Sequence, residues 1–442
     1  MKTNIHFFAL LFLIGIVLFS SCKKDTSVEI IPEIKIEDTA VAIEDMGKYY
    51  MVTIDMTKGY SHYQVGQSYG RCIKKMVPGY EDIISSYLWQ LATVQGLWFN
   101  TIPDRINNVK PQLDAAYADE LNGLITQMKG TSDWTGYQLI YGFNLIPDIF
   151  RSTQCNAFGC WGAASETGKN IAFRTLDWWG GLWNVKIPAI QSVTKIKYPT
   201  QTIYLIGALG HMGCITGINY NSRVMGAILD SDVGSDYHSQ GMRSYNFDLR
   251  YALETSYTKE QVADYLKDPG KPYAFNHLIF LADDKNCVML ENNISNSGSN
   301  PKRALRYDTS YLNTGVFWNF KEMIGGVNCF MLRGQVNNYS SGPNEDINTQ
   351  RWKLLLQKAV DKIYNSPQHK LSADGVREIM CSYWGSKPAS LIAGNGDLYN
   401  TDTQQMMIYV PVDQSLRVFF KPKDNSTPLD PGSYFITIPL SQ

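Results

Sequence analysis

At Cys155 the chain changes its period, and that change constrains the fold more than any other feature of the sequence. Before it, apolar residues recur at helical spacing: Val65, Tyr69, Cys72, Ile73 and Met76 share one face of a segment over 63–94. Residues 104–130 continue that spacing, and 134–150 predict a further helix interrupted at Pro147. In this part 49–56 alternates as a strand. After Cys155, short strand-like runs bounded by Gly, Asn and Asp take over, at 171–173, 202–206, 222–229, 277–282, 287–291 and 315–318. Helical stretches intrude at 249–266 and 348–364, and 406–412 with 415–421 read as a closing hairpin. A helical lead-in followed by strands with helices between them predicts a layered α+β fold.

The first residues set the expected compartment. Lys2 followed by an apolar run over 7–19 reads as a secretory signal, too short and wrongly flanked for a membrane span. It ends at Ser20-Ser21-Cys22, the pattern of a bacterial lipoprotein signal in which Cys22 is lipidated and becomes the new N-terminus. The expected organisation is a signal peptide over 1–21, a lipidated tether over 22–45, a mostly helical segment over 46–154 and a strand-rich core over 155–442. Export to the cell envelope, on the periplasmic face or outer surface, follows from that reading, with the membrane as a partner through the lipid.

Charge excludes one class of partner. Lys+Arg 40 against Asp+Glu 41 leaves none of the basic surplus that nucleic-acid binding needs. No cofactor is expected either. The six histidines are scattered singly, and no CxxC or HExxH spacing points to a metal. Seven cysteines remain after Cys22, an odd number, so at least one thiol is outside any intramolecular disulfide.

Two motifs carry candidate chemistry. Gly66-Gln67-Ser68-Tyr69-Gly70 matches GxSxG, but a nucleophile elbow needs a strand-to-helix turn, and these residues lie inside a helical pattern. A serine esterase through Ser68 is therefore not favoured. The second constellation starts at Gln154-Cys155-Asn156-Ala157-Phe158 and runs through Trp161-Gly162 to Arg174-Thr175-Leu176-Asp177-Trp178. In a regular strand Arg174 and Asp177 face opposite sides, so both approach Cys155 only if the strand ends or bulges at Thr175-Leu176. A buried inert cysteine beside a local Arg174–Asp177 ion pair is the structural alternative.

The runs CxxFxxWG and GxxxxxRxLDW resemble the acyl-CoA:6-aminopenicillanate acyltransferase-like enzymes. These are grouped with choloylglycine hydrolases and acid ceramidase-type amidases among the N-terminal nucleophile hydrolases. His62 to Gly70, Gly217-Ile218-Asn219, Leu312-Asn313-Thr314 and Thr349-Gln350-Arg351 extend the resemblance over most of the chain. It implies a four-layer αββα sandwich of two antiparallel sheets. It also implies a cut between Gln154 and Cys155, giving two chains of one precursor, with Cys155 as an N-terminal thiol nucleophile. By the same resemblance Asp177 orients the Cys155 α-amino group and Arg174 sits beside the thiol. Asn313 donates to the oxyanion, Asp230 is an oxyanion partner and Arg351 braces the site.

The implied activity is hydrolysis of a linear amide C–N bond of a small N-acyl substrate through a thioester. An acyltransferase using the same thioester is the alternative, as is an inactive lipid-tethered binding protein. Asn156 and Thr175, where the family has Ser or Thr and Asn, motivate the last reading. Trp178, Trp179, Trp183 and Trp318 are candidates to line an acyl pocket.

Overall fold

The computed structural model describes residues 34–97, 101–150, 154–182, 187–231, 237, 242–294, 303–336, 339, 345–388 and 396–442. The signal segment, Cys22 and Trp183 lie outside the described residues. None of the helices described is long and apolar enough to cross a membrane.

Three strands open the described chain: β1 (Ile34–Asp38), β2 (Val41–Asp45) and β3 (Tyr50–Asp55). The tether expected to reach residue 45 therefore gives way to strand at Ile34. Lys35, Glu37, Glu44 and Asp45 give these strands a polar composition, as suits the edge of a sheet, where charge discourages further pairing.

The helical segment follows: α1 (His62–Met76), α2 (Tyr80–Val94), α3 (Thr101–Val109), α4 (Ala115–Ile125), α5 (Gly136–Asn144) and α6 (Ile146–Ile149). Ser61 with Gln64 and Thr135 with Gln138 form capping boxes that start α1 and α5. The single helix expected over 63–94 is two, because Pro78-Gly79 cannot continue α1. GxSxG lies inside α1, away from any strand-to-helix turn. A Cβ on Gly66 would stand 2.0 Å from Glu120 O of α4, and one on Gly123 2.0 Å from Tyr63 O of α1. The motif glycine thus lets two helices touch backbone to backbone. Ser68 is buried, its hydroxyl 3.4 Å from Asp38 Oδ1.

From Gln154 onward come β4 (Gln154–Cys160), β5 (Ile171–Asp177), β6 (Gln191–Lys197), β7 (Thr202–Ala208), β8 (Thr216–Asn219) and β9 (Val224–Asp230). Helices α7 (Tyr245–Thr255) and α8 (Lys259–Leu266) precede β10 (His277–Ala282), β11 (Cys287–Asn292), β12 (Arg303–Arg306) and β13 (Met323–Gly326). After α9 (Ile347–Asn365) and α10 (Ala373–Met380), the chain closes with β14 (Thr403–Val410), β15 (Ser415–Phe420) and β16 (Ile436–Ile438). The strand expected over 315–318 is a turn, with Gly315 at φ +85°, and the strand forms at β13 instead.

Among the described residues the strands make two sheets. One has ten strands in the order β1-β2-β3-β6-β7-β8-β9-β10-β11-β12, the other six in the order β13-β4-β5-β14-β15-β16. The expectation of two antiparallel sheets needs one correction, since β3 pairs with β6 in parallel. The whole helical segment lies between those two strands, long enough for the crossover a parallel pair requires.

Side-chain direction shows the layering. A Cβ on Gly159 of β4 would run into Cys287 of β11, and one on Gly326 of β13 into Met289, so these faces of the small sheet meet the large one. The neighbouring Gly325 faces Leu355 of α9, and Gly226 of β9 faces Leu249 and Leu253 of α7. Helices thus cover both outer faces, giving four layers; β5 and β9 are buried along their whole length and β4 from Cys155 onward.

Candidate active site

The thiol of Cys155 sits at the start of β4 on the face between the two sheets. Register decides its neighbours. Cys155 pairs with Leu176 and Ala157 with Arg174, and directly opposed residues share a face, so Leu176 and Arg174 project with the thiol. Arg174 Nη2 lies 3.4 Å from Cys155 Sγ and donates to Ile228 O of β9 at 2.9 Å, which fixes the guanidinium between the sheets. Arg174 is fully buried, and burial lowers its pKa against the opposing influence of Cys155 and Asp177. Its Nε and Nη1 have no hydrogen-bond partner among the described residues. A fixed positive charge with unused donors beside a sulfur favours thiolate and any oxyanion formed next to it.

Asp177 lies three residues from Arg174, and β5 runs unbroken through both, so Asp177 faces the helical side. Its carboxylate receives Arg351 Nη2 at 2.9 Å and Thr403 Oγ1 at 2.6 Å. Burial pushes the Asp177 carboxyl up to about 6, although Arg351 pulls the other way. A path through Arg351 and Asn328 links Asp177 to the Cys155 nitrogen. The Cys155 N–H donates to Asn328 Oδ1 at 2.6 Å, and Arg351 Nη1 donates to the same oxygen at 2.7 Å. Arg351 thus bridges Asp177 to the group that holds the nucleophile's nitrogen.

Asn328 owes its place to register. The β13–β4 ladder runs from Met323 opposite Cys160 to Gly326 opposite Ala157, and two more residues at that register bring Asn328 opposite Cys155. Its side chain takes the place of the next backbone partner. Its Nδ2 donates to Asp230 O at 2.7 Å, which settles the amide orientation. Asp230, at the end of β9, has its carboxylate 2.8 Å from Tyr245 Oη, which also lies 2.5 Å from Pro147 O.

Asn313, expected at the oxyanion, makes its side-chain hydrogen bonds elsewhere. Its Oδ1 receives Gly334 N–H at 2.9 Å and its Nδ2 donates to Gln335 O at 3.0 Å, so it clamps a loop closed by the Leu312–Leu332 bridge. Asn328 is the residue that sequence reasoning missed, and its one signal was an asparagine two residues beyond a strand end. The two departures from the family pattern, Asn156 and Thr175, are cross-strand partners on the face away from the thiol. Asn156 Nδ2 donates there to Leu398 O. Cys160 is fully buried, and burial holds its thiol well above the ordinary range. No disulfide joins the seven described cysteines.

A small, mostly apolar pocket adjoins Cys155 through its cross-strand partner Leu176. Its apolar walls come from Tyr87 of α2, Phe143 of α5 and Ile146 of α6, with Trp178, Ile187 and Ile215. Trp179 stacks on Tyr87, whereas Trp318 packs under β13 against Phe158 and Trp352 and belongs to the core. Among the described residues no group of three His, Cys, Asp or Glu side chains is placed to hold a metal.

No family model matches the chain, and no curated protein matches it in sequence. Solved structures similar to it include a Caenorhabditis elegans N-acylethanolamine-hydrolyzing acid amidase ortholog. It is 13% identical over 64% of this chain and 100% of that one, with a TM-score of 0.40. A mutant form of the conjugated bile acid hydrolase from Clostridium perfringens is 12% identical over 65% and 97%, with a TM-score of 0.36. Penicillin V acylase from Agrobacterium tumefaciens is 10% identical over 60% and 83%, with a TM-score of 0.36.

Proposed function

We propose that the chain is a self-processing amidase that hydrolyses the linear amide bond of a small N-acyl substrate through a thioester on Cys155. One observation carries this reading. Cys155 is gripped at both reactive atoms, the sulfur by Arg174 and the nitrogen by Asn328 with Arg351 behind it.

The chemistry follows from those grips. Cleavage between Gln154 and Cys155 turns the Cys155 nitrogen from an amide into an α-amine, whose ordinary pKa is about 7.7–8.0. Asn328 Oδ1 is an acceptor, so it holds one amine N–H and leaves the nitrogen lone pair available to the thiol. The Arg351 charge on that same oxygen favours the neutral amine, and the Asp177 carboxylate holds Arg351 in place there. The amine takes the thiol proton, the thiolate attacks the acyl carbon, and the oxyanion forms beside the unused donors of Arg174. The protonated amine then gives its proton to the leaving amine, and water hydrolyses the thioester. A second amine in place of water would make the same site an acyltransferase.

Asn156 and Thr175 do not favour an inactive binding protein, because they face away from the thiol. We extend the proposal to a lipid anchor at Cys22, supported by the sequence pattern before it.

Intact-mass analysis tests the proposal. The expected result is two fragments, the larger beginning at Cys155, and a Cys155→Ala chain that stays whole and turns over no amide. A single uncleaved chain with full amidase activity overturns it.

A further inference from the structure

The pocket beside Cys155 is apolar in most of its wall, yet four residues that line it each carry a buried polar atom with no hydrogen-bond partner among the described residues. These are Gln191 Oε1, Gln404 Oε1, Gln405 Oε1 and His211 Nε2. Every one of these residues is more than nine-tenths buried. Buried polar groups are as a rule satisfied, so four around one pocket call for an explanation.

The amide orientations are not arbitrary. Gln191 Nε2 donates to Lys421 O at 3.1 Å, Gln404 Nε2 to Trp178 O at 2.7 Å and Gln405 Nε2 to Gly207 O at 2.9 Å. Turning any of them over would set oxygen against oxygen, so all three carbonyl oxygens are left over as acceptors. His211 is kept neutral, since burial pushes it down to about 4. Three glutamine acceptors, with His211 Nε2 beside them, surround a pocket with no charged side chain in its wall.

Backbone geometry was bent to build this set. Consecutive strand residues alternate faces, yet Gln404 and Gln405 both line the cavity. A register shift in β14 between Thr403, opposite Asp177, and Gln405, opposite Leu176, sets two residues against one. Gln405, Leu176 and Cys155 then form one row across three adjacent strands. Two strand spacings, about 10 Å, separate Gln405 from the nucleophile.

We propose that Gln191, Gln404, Gln405 and His211 are specificity residues selecting an uncharged acyl group that carries a hydrogen-bond donor, hydroxyl or amide N–H, about 10 Å from the scissile carbonyl. This rests on the amidase reading above, since it assigns the acyl half of the substrate to this cavity. A hydroxyl suits the set, because it can donate to a glutamine oxygen. A plain alkyl chain buries the same acceptors unpaired, and sites built for a hydroxyl reject analogues lacking it for that reason.

The test compares ω-hydroxyoctanoyl with nonanoyl, which has a methyl where the hydroxyl stands, each as its p-nitroanilide, on the mature wild-type enzyme. The expected kcat/KM ratio favours the hydroxyl compound by about 10- to 100-fold. In Gln405→Met and Gln191→Met, which keep side-chain length, that ratio falls about tenfold. Equal or greater kcat/KM for nonanoyl in the wild type overturns the proposal, whether or not the variants fold. So does a ratio unmoved in both folded variants. Equilibrium binding of both amides to the mature protein, its Cys155 thiol blocked by methylthiolation, separates the two readings. Tighter binding of the hydroxyl compound without wild-type turnover removes the amidase and keeps the specificity site. Turnover that favours nonanoyl removes the specificity site and keeps the amidase. Binding of neither amide overturns the specificity site.

Discussion

Asn328 stands where the β13–β4 ladder would place the backbone partner of Cys155, and its side-chain oxygen receives the Cys155 N–H at 2.6 Å. A strand therefore ends at the point where a side chain takes over its pairing. The substitution matters chemically, because an amide oxygen can hold the nitrogen of Cys155 both as a peptide and as a free amine. A backbone ladder would also have placed a rigid strand where the site needs Arg351 to enter from α9. Arg351 reaches Asn328 Oδ1 and Asp177 Oδ2 at once, so nitrogen, amide, guanidinium and carboxylate form one line across the small sheet.

Replacing Asn328 with Leu removes that line while keeping the volume. We expect kcat to fall by roughly 10²–10³, as for loss of a single oriented polar group at an acyl-transfer centre. The uncleaved fraction on a denaturing gel should rise with it. Asn313→Ala should lower the melting temperature through its loop clamp and leave the cleaved fraction at the wild-type level. The reverse ranking of the two variants would return the asparagine role to residue 313.

Asp177 gives the site an acid limb. Burial holds its carboxyl up to about 6, so the charge that faces Arg351 is present above that pH and lost below it. The kcat/KM profile should therefore rise with pH through a midpoint near 6, and Asp177→Asn should flatten that rise while lowering the plateau. A limb that stays in place in the variant would assign it to another group.

How much of this was legible in the sequence depends on what each feature requires. Parity along β5 was legible: Arg174 and Asp177 differ by three, and they do face opposite ways. The strands after Cys155 were legible because Gly, Asn and Asp punctuate apolar runs. Pairing register was not, since nothing local says that the residue opposite Cys155 is Asn328 and not Asn313. The β14 bulge was equally hidden, because Thr403-Gln404-Gln405 reads as ordinary alternation until its partner strand is known. The strands at 34–45 were missed for a different reason. Their charges suit an edge strand, and the same charges describe a solvated tether.

Glu120 and Arg250 should hold the two products of self-cleavage together. Glu120 of α4 lies before the cut and Arg250 of α7 after it, both fully buried, with Nη2 donating to Glu120 Oε1 at 3.0 Å and Nη1 bonding the other oxygen. Arg250 also donates to Glu254, and Tyr117 closes the network from α4. Removing Arg250 leaves the buried Glu120 carboxylate with His62 Nδ1, 2.8 Å away, as its remaining charge partner, at a cost of up to about 3–5 kcal/mol. Arg250→Met should therefore lower the denaturant midpoint strongly and loosen the smaller fragment in native size-exclusion runs. Adding Glu120→Gln should recover a large part of the loss. Failure of the second change to recover anything would mean that packing of the arginine stem, not charge, sets the cost.

Asp148 ties the chain just before the cut to α7, accepting Ser244 Oγ at 2.6 Å, Tyr245 N at 3.0 Å and Asn246 Nδ2 at 3.1 Å. Burial outweighs these bonds and raises its carboxyl to about 8. The unfolded chain, with an ordinary carboxyl near 3.8, has lost that proton over most of the range in which the folded protein keeps it. Folding then binds a proton between about 4 and 8, so this residue makes stability fall as pH rises through that window, by at most about 1.4 kcal/mol per pH unit, and adds no slope outside it. Asp148→Asn removes the titration and keeps Oδ1 for Tyr245 N–H, although its Nδ2 then meets the Asn246 Nδ2 donor. Melting temperatures should fall from pH 5 to 8 in the wild type more steeply than in the variant, so the variant gains on the wild type across that window. Parallel profiles would show that Asp148 titrates in the ordinary range and that its three donors outweigh burial.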